Sequence, residues 1–324
     1  MVREHTSCQI VKRRIRSQQK KLIDLTLQMI HNKILLTGAS GWFGQSFIAQ
    51  YAAKFGQGAL RQITLVTSDG REIKHPDVPF PLKTVSMHTA NALRGHDVIV
   101  HAGFPSRDKI NTLGHSVYQE TCESILTNLR LIVKKNHCAD IYLISSGAVY
   151  NDTSLYGRYK RHEEEVVKKL ISNNYYIFRI FTATTKYMDY RPWSAICNFM
   201  KCRLTGQNIT IESREELLRG IVCMQDLSDL ILRIADKAEA SQQKQKTYDA
   251  VSHVTSIRKL AILCSANEVS TILPENYDLS KINSEYSGRP EPFQTLAHDF
   301  KIELKPPGLQ IENCFRTPYQ LTFK

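Results

Sequence analysis

The chain has 324 residues, 42% of them apolar and 23% charged, which suits a folded protein with a sizeable core and excludes a disordered or fibrous chain. It lacks any run of about 18 apolar residues, so no membrane-spanning helix is expected, and nothing reads as a secretion signal. The eight cysteines form no CxxC pair, which excludes a zinc ribbon and a disulfide scaffold and fits reduced thiols in a cytoplasm.

The net charge is +12. Residues 1–28 hold much of it, with Arg3, Lys12, Arg13, Arg14, Arg16, Lys20 and Lys21 against Glu4 and Asp24. Residues 1–32 therefore read as a basic N-terminal extension. It could be a solvated appendage or lie upstream of a start at Met29. A weak contact of residues 1–28 with an anionic membrane surface is the third option. The remaining charge is spread out, with no arginine–aromatic recognition module, so nucleic-acid binding is not expected. A basic surface equally suits a substrate that carries a diphosphate.

Lys33 to Leu36 read as a buried strand that runs into TGASGWFG. A helix follows from Trp42 to about Lys54, closed by FGQG at 55–58. Ile63 to Val66 are a second buried strand, 69–81 a loop, and DVIVHAG (97–103) a third strand. Residues 115–136 read as a long helix, with Tyr118, Cys122, Ile125, Leu129 and Ile132 on one face. IYLISS (141–146) is a fourth strand, 157–172 a helix rich in Glu and Lys, and YYIFRIF (175–181) a fifth strand. Such alternation predicts an α/β fold, a doubly wound parallel Rossmann sheet. The expected division is a dinucleotide-binding core at 33–182. Residues 183–324 would supply the remaining core elements and a small mixed α/β cap for substrate.

Gly38, Gly41 and Gly44 sit between a strand and a helix. In that context the first allows the tight turn, the second lets backbone approach a pyrophosphate, and the third lets helix and sheet pack closely. Trp42 and Phe43 open the helix whose N–H groups would face the phosphates. Asp69 follows the second strand, where an acid would bind the adenosine ribose of NAD. Arg71 could instead meet the 2′-phosphate of NADP, so both cofactors stay open, with the reading leaning to NAD.

Ser145 and Ser146 end the fourth strand at the sheet's C-terminal edge, where ligands of such sheets bind. YGRYK (156–160) puts Tyr156 and Lys160 on one helix face. An ammonium beside a phenol favours the phenolate, which makes tyrosine a usable acid and base near neutral pH. Tyr159 reads as packing. His101 reads as a packed core histidine, and no metal site is expected. Cys223 reads as core.

In this order, TGASGWFG, DVIVHAG, ISSGAVY and YGRYK resemble the extended short-chain dehydrogenase/reductase family, and within it the NAD-dependent epimerase/dehydratase branch that acts on nucleotide sugars. The resemblance covers about 33–265. It implies that Ala102 and Gly103 contact the cofactor and that Ser146, Tyr156 and Lys160 are catalytic, with Tyr156 and Lys160 also touching the cofactor. It further implies that Ser146 and Thr182 meet the substrate and that Arg219, in RGIVCMQDLSDLI, meets a substrate phosphate. Asp226 of that element would hold a helix start. A homodimer through the helices at 115–136 and 157–172 is also implied, as is a place in surface-polysaccharide synthesis.

The departures are local. Only nine residues separate Ser146 from Tyr156, and the family's substrate-loop asparagine is Thr182, with Thr184 and Thr185 beyond it. Cys122 stands where the long helix would carry asparagine. Gly147 and Ala148 replace the acidic pair of the dehydratases, which argues against elimination of water. The expected activity is therefore NAD(P)-dependent 4-epimerisation or 4-keto reduction of a nucleoside-diphosphate sugar. A dinucleotide-binding regulatory or RNA-binding member without turnover is the alternative class, and a reductase of a small non-sugar carbonyl a third.

Overall fold

The computed structural model describes residues 32–150, 153–170, 174–188, 194–237, 245–283 and 286–316. The basic segment 1–28 lies outside them.

The first half runs β1 (Ile34–Thr37), α1 (Trp42–Phe55), β2 (Thr64–Thr67), β3 (Val85–Ser86), α2 (Met87–Ala90), β4 (Val98–His101), α3 (Lys109–Leu113), α4 (His115–Lys135), β5 (Asp140–Ser146), α5 (Leu155–Leu170) and β6 (Tyr175–Ile180). Every residue of β1 and β4 is buried, as strands covered on both faces must be. The second half continues with β7 (Thr182–Thr184), α6 (Ala195–Leu204), β8 (Ile209–Thr210), β9 (Glu215–Cys223), α7 (Met224–Lys237), β10 (Gln245–Ala250) and β11 (His253–Ser256). It ends with α8 (Ile257–Ser265), β12 (Thr271–Ile272), β13 (Asp278–Asn283), α9 (Pro290–Asp299) and α10 (Pro307–Phe315).

Seven parallel strands form the main sheet in the order β10-β6-β5-β4-β1-β2-β3. The chain builds outward from β1 to β3, then returns across β1 to lay down β4. The strand order therefore reverses between β1 and β4, which opens a crevice at their carboxyl ends. A core of α1, α7 and α9 side chains covers one face of this sheet, and α4 and α5 cover the other. A second sheet, β11-β9-β13 with β7 beside β9, stands on the carboxyl-end side, because β7 leaves β6 after a single residue.

Local sequence explains most of these boundaries. Phe43, Phe47, Ile48 and Tyr51 give α1 its buried stripe, and Gly56 ends it at φ +85°. In α4 the buried face takes Leu126 where the spacing pointed to Ile125, which is half-buried. Helix α5 begins at Leu155, so Tyr156 lies within its first turn. Asp226 lies in the first turn of α7 but accepts hydrogen bonds from the backbone N–H and ammonium of Lys305, tying a distant segment to the helix.

Candidate functional site

The glycine turn closes on itself at the crevice. Gly38 has φ +71°, and a Cβ there would stand 2.6 Å from the Ala102 carbonyl oxygen. A Cβ on Gly44 would fall 2.2 Å from the Gly38 oxygen, so α1 starts as close to the turn as backbone allows. The Gly41 N–H donates to the Gly38 carbonyl at 3.0 Å. Gly41 caps α1 with no side-chain hydrogen bond, and no acidic residue sits in the first turn. The first N–H groups of α1 are thus left to an anion. Phe43 turns into the core, so only its backbone faces the crevice, whereas Trp42 is half-buried. Gly103 packs against the turn, where a Cβ would come 3.0 Å from Gly38 N. This cradle fits a dinucleotide pyrophosphate. Just beyond the end of β2, Asp69 accepts from the Arg71 backbone N–H at 3.1 Å and from its guanidinium Nε at 2.5 Å. Those bonds hold the exposed Asp69 carboxyl below the usual range.

Across the crevice, Ser146 ends β5, buried, its hydroxyl accepting from the Ala148 N–H at 3.2 Å. On α5, Lys160 is buried, and Tyr156, about one turn before it, is half-buried. The Lys160 ammonium donates to the Ile144 carbonyl at 3.0 Å and to Glu163, and lies 4.8 Å from the centre of the Phe104 ring. Burial acts to lower the Lys160 pKa. Glu163, and after it Tyr156, outweigh that and hold it above the ordinary lysine range. The structure thus brings Ser146, Tyr156, Lys160 and the glycine turn to one edge of the sheet.

A second polar network supports this edge. Ser145 donates to Glu164 at 2.7 Å, and Arg179 on β6 grips both Glu164 oxygens at 2.9 and 2.7 Å. Arg179 also donates to the Tyr150 hydroxyl, which donates to Asp249 on β10.

The substrate side is built by segments far apart in sequence. Thr182 is half-buried and pairs with Ile221. Thr184 and Thr185 are fully buried and satisfied by Val222, Gln310, Ser46 and Gln225, so they brace the loop. Arg219 is half-buried on β9, donates to the Leu218 carbonyl at 2.8 Å, and pairs with no carboxylate among the described residues. Burial lowers its pKa. Its guanidinium lies 5.8 Å from the centre of the Tyr286 ring.

Tyr286 is a residue that sequence reasoning missed. Its hydroxyl faces Ser146, and its ring meets Phe181 edge-on at 5.1 Å. Burial pushes the Tyr286 hydroxyl up, and the nearby Ser146 acts against that. The Gly220 N–H donates to the Tyr286 carbonyl, and a Cβ on Gly220 would strike the Ser287 oxygen at 2.2 Å. Only that long-range crossing puts the tail into the site, and no local pattern in 274–290 announced it. Glu163, next to the Glu164 that Arg179 holds, likewise carries no local signal beyond that of a charged helix.

Among the described residues, no group of three or more His, Cys, Asp or Glu is placed to hold a metal ion, and no helix is long and apolar enough to cross a membrane.

No family model matches this chain, and no curated protein matches its sequence. Solved structures do match it. A UDP-glucose 4-epimerase superposes with TM-score 0.66 at 11% identity, covering 88% of this chain and 97% of that one. The UDP-Glc/GlcNAc 4-epimerase of Campylobacter jejuni gives 0.64 at 16% identity, with 88% and 98% covered. The Thermus thermophilus UDP-glucose 4-epimerase, solved as a complex with NAD, gives 0.63 at 14% identity, with 87% and 98% covered. The chain therefore has the fold of these UDP-sugar 4-epimerases over nearly their whole length.

Proposed function

We propose that this protein is an NAD(P)-dependent enzyme that oxidises and reduces a ring carbon of a nucleoside-diphosphate sugar, by 4-epimerisation or 4-keto reduction. The observation that carries this reading is the convergence of Ser146, Tyr156 and Lys160 on the sheet edge that also holds the glycine cradle, with Arg219, which has no carboxylate partner among the described residues, on β9 beside Tyr286. Tyr156 takes the proton of the reacting hydroxyl and returns it in the reverse direction. Ser146 donates a hydrogen bond to the same oxygen as it gains carbonyl character. Lys160, fixed by Ile144 and Glu163, supplies the positive charge that makes the phenol a working acid and base. Arg219 binds a substrate phosphate, as a guanidinium does in a fork. A bound nicotinamide dinucleotide supplies the hydride chemistry, held by the α1 N-terminus, Ala102 and Gly103.

Asp69 supports NAD over NADP, since its carboxylate would repel a 2′-phosphate while Arg71 is engaged with it. A homodimer through α4 and α5 would be a largely polar contact, because only Val117 and Leu131 on α4 and Leu170 on α5 are exposed large apolar residues among the described residues of these helices. Sedimentation against the monomer mass tests it. The seven cysteines among the described residues are all free thiols, which suits a reducing cytoplasm. Surface-polysaccharide synthesis is the setting we propose for the product.

The test is to denature the purified protein, identify any released nucleotide by mass spectrometry, and assay a panel of nucleotide sugars. Stoichiometric NAD with interconversion of C4 epimers identifies the epimerase. An empty protein that takes NADPH and reduces a 4-keto sugar identifies the reductase. Affinity for neither dinucleotide overturns the proposal in favour of a binding module.

A further inference from the structure

Behind Lys160 and the Glu163 that fixes it, buried polar groups continue to the end of β1. Thr37, the last residue of β1, accepts from the Ala102 N–H at 3.2 Å and the Gly103 N–H at 3.1 Å through its hydroxyl oxygen. The same oxygen is 2.7 Å from His101 Nδ1. A hydroxyl offers two lone pairs and one proton. Both lone pairs are engaged by the amides, so the proton goes to Nδ1. The assignment of this network leaves the His101 ring proton on Nε2.

That Nε2 lies 3.0 Å from Glu163 Oε1, with the two side chains 0% and 1% exposed. The two atoms stand at ion-pair distance without forming a hydrogen bond, and neither has a hydrogen-bond partner. The other Glu163 oxygen accepts from Lys160. Glu163 therefore faces a donor on each side, a demand that a carboxylate meets and an amide does not. Gln at 163 would leave either the lysine or the His101 N–H facing an NH₂ group. His101 cannot relieve this by changing tautomer without breaking the Thr37 bond.

The other groups that face Lys160 do not replace Glu163. On its own helix, Glu164 is committed to Arg179, Ser145 and Lys168. Tyr118 and Cys122 on α4 have pKa values pushed up by burial and stay neutral. Tyr156 is the group to be activated, and His101 on β4 is fixed by Thr37.

We propose that Glu163, seated between Lys160 and His101, is a positioning residue that keeps the Lys160 ammonium charged in its buried seat. The proposal rests on the reading of Tyr156 and Lys160 as the proton-transfer pair. The chain from Thr37 to Lys160 runs from the Ala102–Gly103 backbone to the catalytic helix without passing through solvent.

The test separates the two ideas. Whole protein carrying ¹⁵N-labelled lysine is titrated by NMR, with and without added NAD, and the Lys160 Nζ signal is identified by its loss in Lys160→Met. In the unaltered protein, Lys160 keeps its charge beyond the pH at which surface lysines lose theirs. In Glu163→Gln it loses charge at least about one pH unit lower, because a buried ammonium has lost its counter-ion. Rates with a turned-over nucleotide sugar then fall on the alkaline side from a correspondingly lower pH. The loss is in kcat, with KM and dinucleotide affinity within twofold, and Glu163→Asp, which keeps the charge, restores the profile. Equal Lys160 midpoints in the two proteins, or a fall in rate by one factor at every pH, overturn the proposal and leave Glu163 a structural residue. If Glu163→Gln does not fold, the unaltered protein decides alone, since Lys160 titrating with or below the surface lysines overturns it. Absence of turnover with every sugar counts against the proposed function, and the lysine titration still decides this inference.

Discussion

The main sheet and the β9–β13 sheet are built on different terms. In the first, β1 and β4 are buried along their full length, and the site hangs from their carboxyl ends. In the second, β13 pairs with β9 across a register shift and carries Leu279 and Ile282 more than half exposed. Core burial determines the first sheet's register, since a slip of one residue would disturb both packed faces. The second sheet is held where β9 and the tail cross, at Gly220 and Tyr286, and where the Tyr286 ring meets Phe181 just beyond β6. A rigid cofactor crevice is thereby combined with a substrate side assembled from distant pieces.

The contrast can be broken most severely at the chemistry. Tyr156→Phe is expected to reduce kcat by about 10²- to 10⁴-fold. Dinucleotide affinity, measured by calorimetry, should stay within twofold, and a retained rate would remove Tyr156 from the mechanism.

Next in size is Glu164→Gln beneath the site, expected to cost about 3–5 kcal/mol, because it leaves Arg179 without its buried counter-charge. Burial acts to raise the Glu164 pKa, and the hydrogen bonds from Arg179 and Ser145 outweigh it, so the carboxyl titrates below the usual range. A depressed folded pKa gives stability that is present above the unfolded value, about 4.3. It is lost as pH falls through the lower folded value. The gap between the two proteins in urea melts should therefore close in acid, and a gap constant with pH would refute the pairing.

A smaller effect is expected at the turn. Gly44→Ala puts a methyl 2.2 Å from the Gly38 oxygen and forces a backbone shift worth about 1–3 kcal/mol. Dinucleotide binding should weaken with it, and unchanged binding would detach the turn from the cofactor. At the other extreme, Ile282 on β13 is 62% exposed, and Ile282→Thr should alter stability by no more than about 0.5 kcal/mol. A larger loss in a thermal melt would mean that this strand is covered in solution.

The amino-acid sequence by itself determined the alternation of buried strands and helices, the glycine turn between β1 and α1, and the placing of Ser146, Tyr156 and Lys160 at strand end and helix start. These are local features, readable because burial on both faces requires continuous apolar runs and a tight turn requires glycine. Tertiary structure alone decided what stands around them. Tyr286 reaches Ser146 from 140 positions away in the chain because Gly220 has no side chain to block the crossing. Glu163 and Glu164 are neighbours with the same side chain, yet one meets Lys160 and His101 and the other Arg179. Their helix positions differ by about 100°, and only the packing of α5 against β4, β5 and β6 assigns each carboxylate its partner.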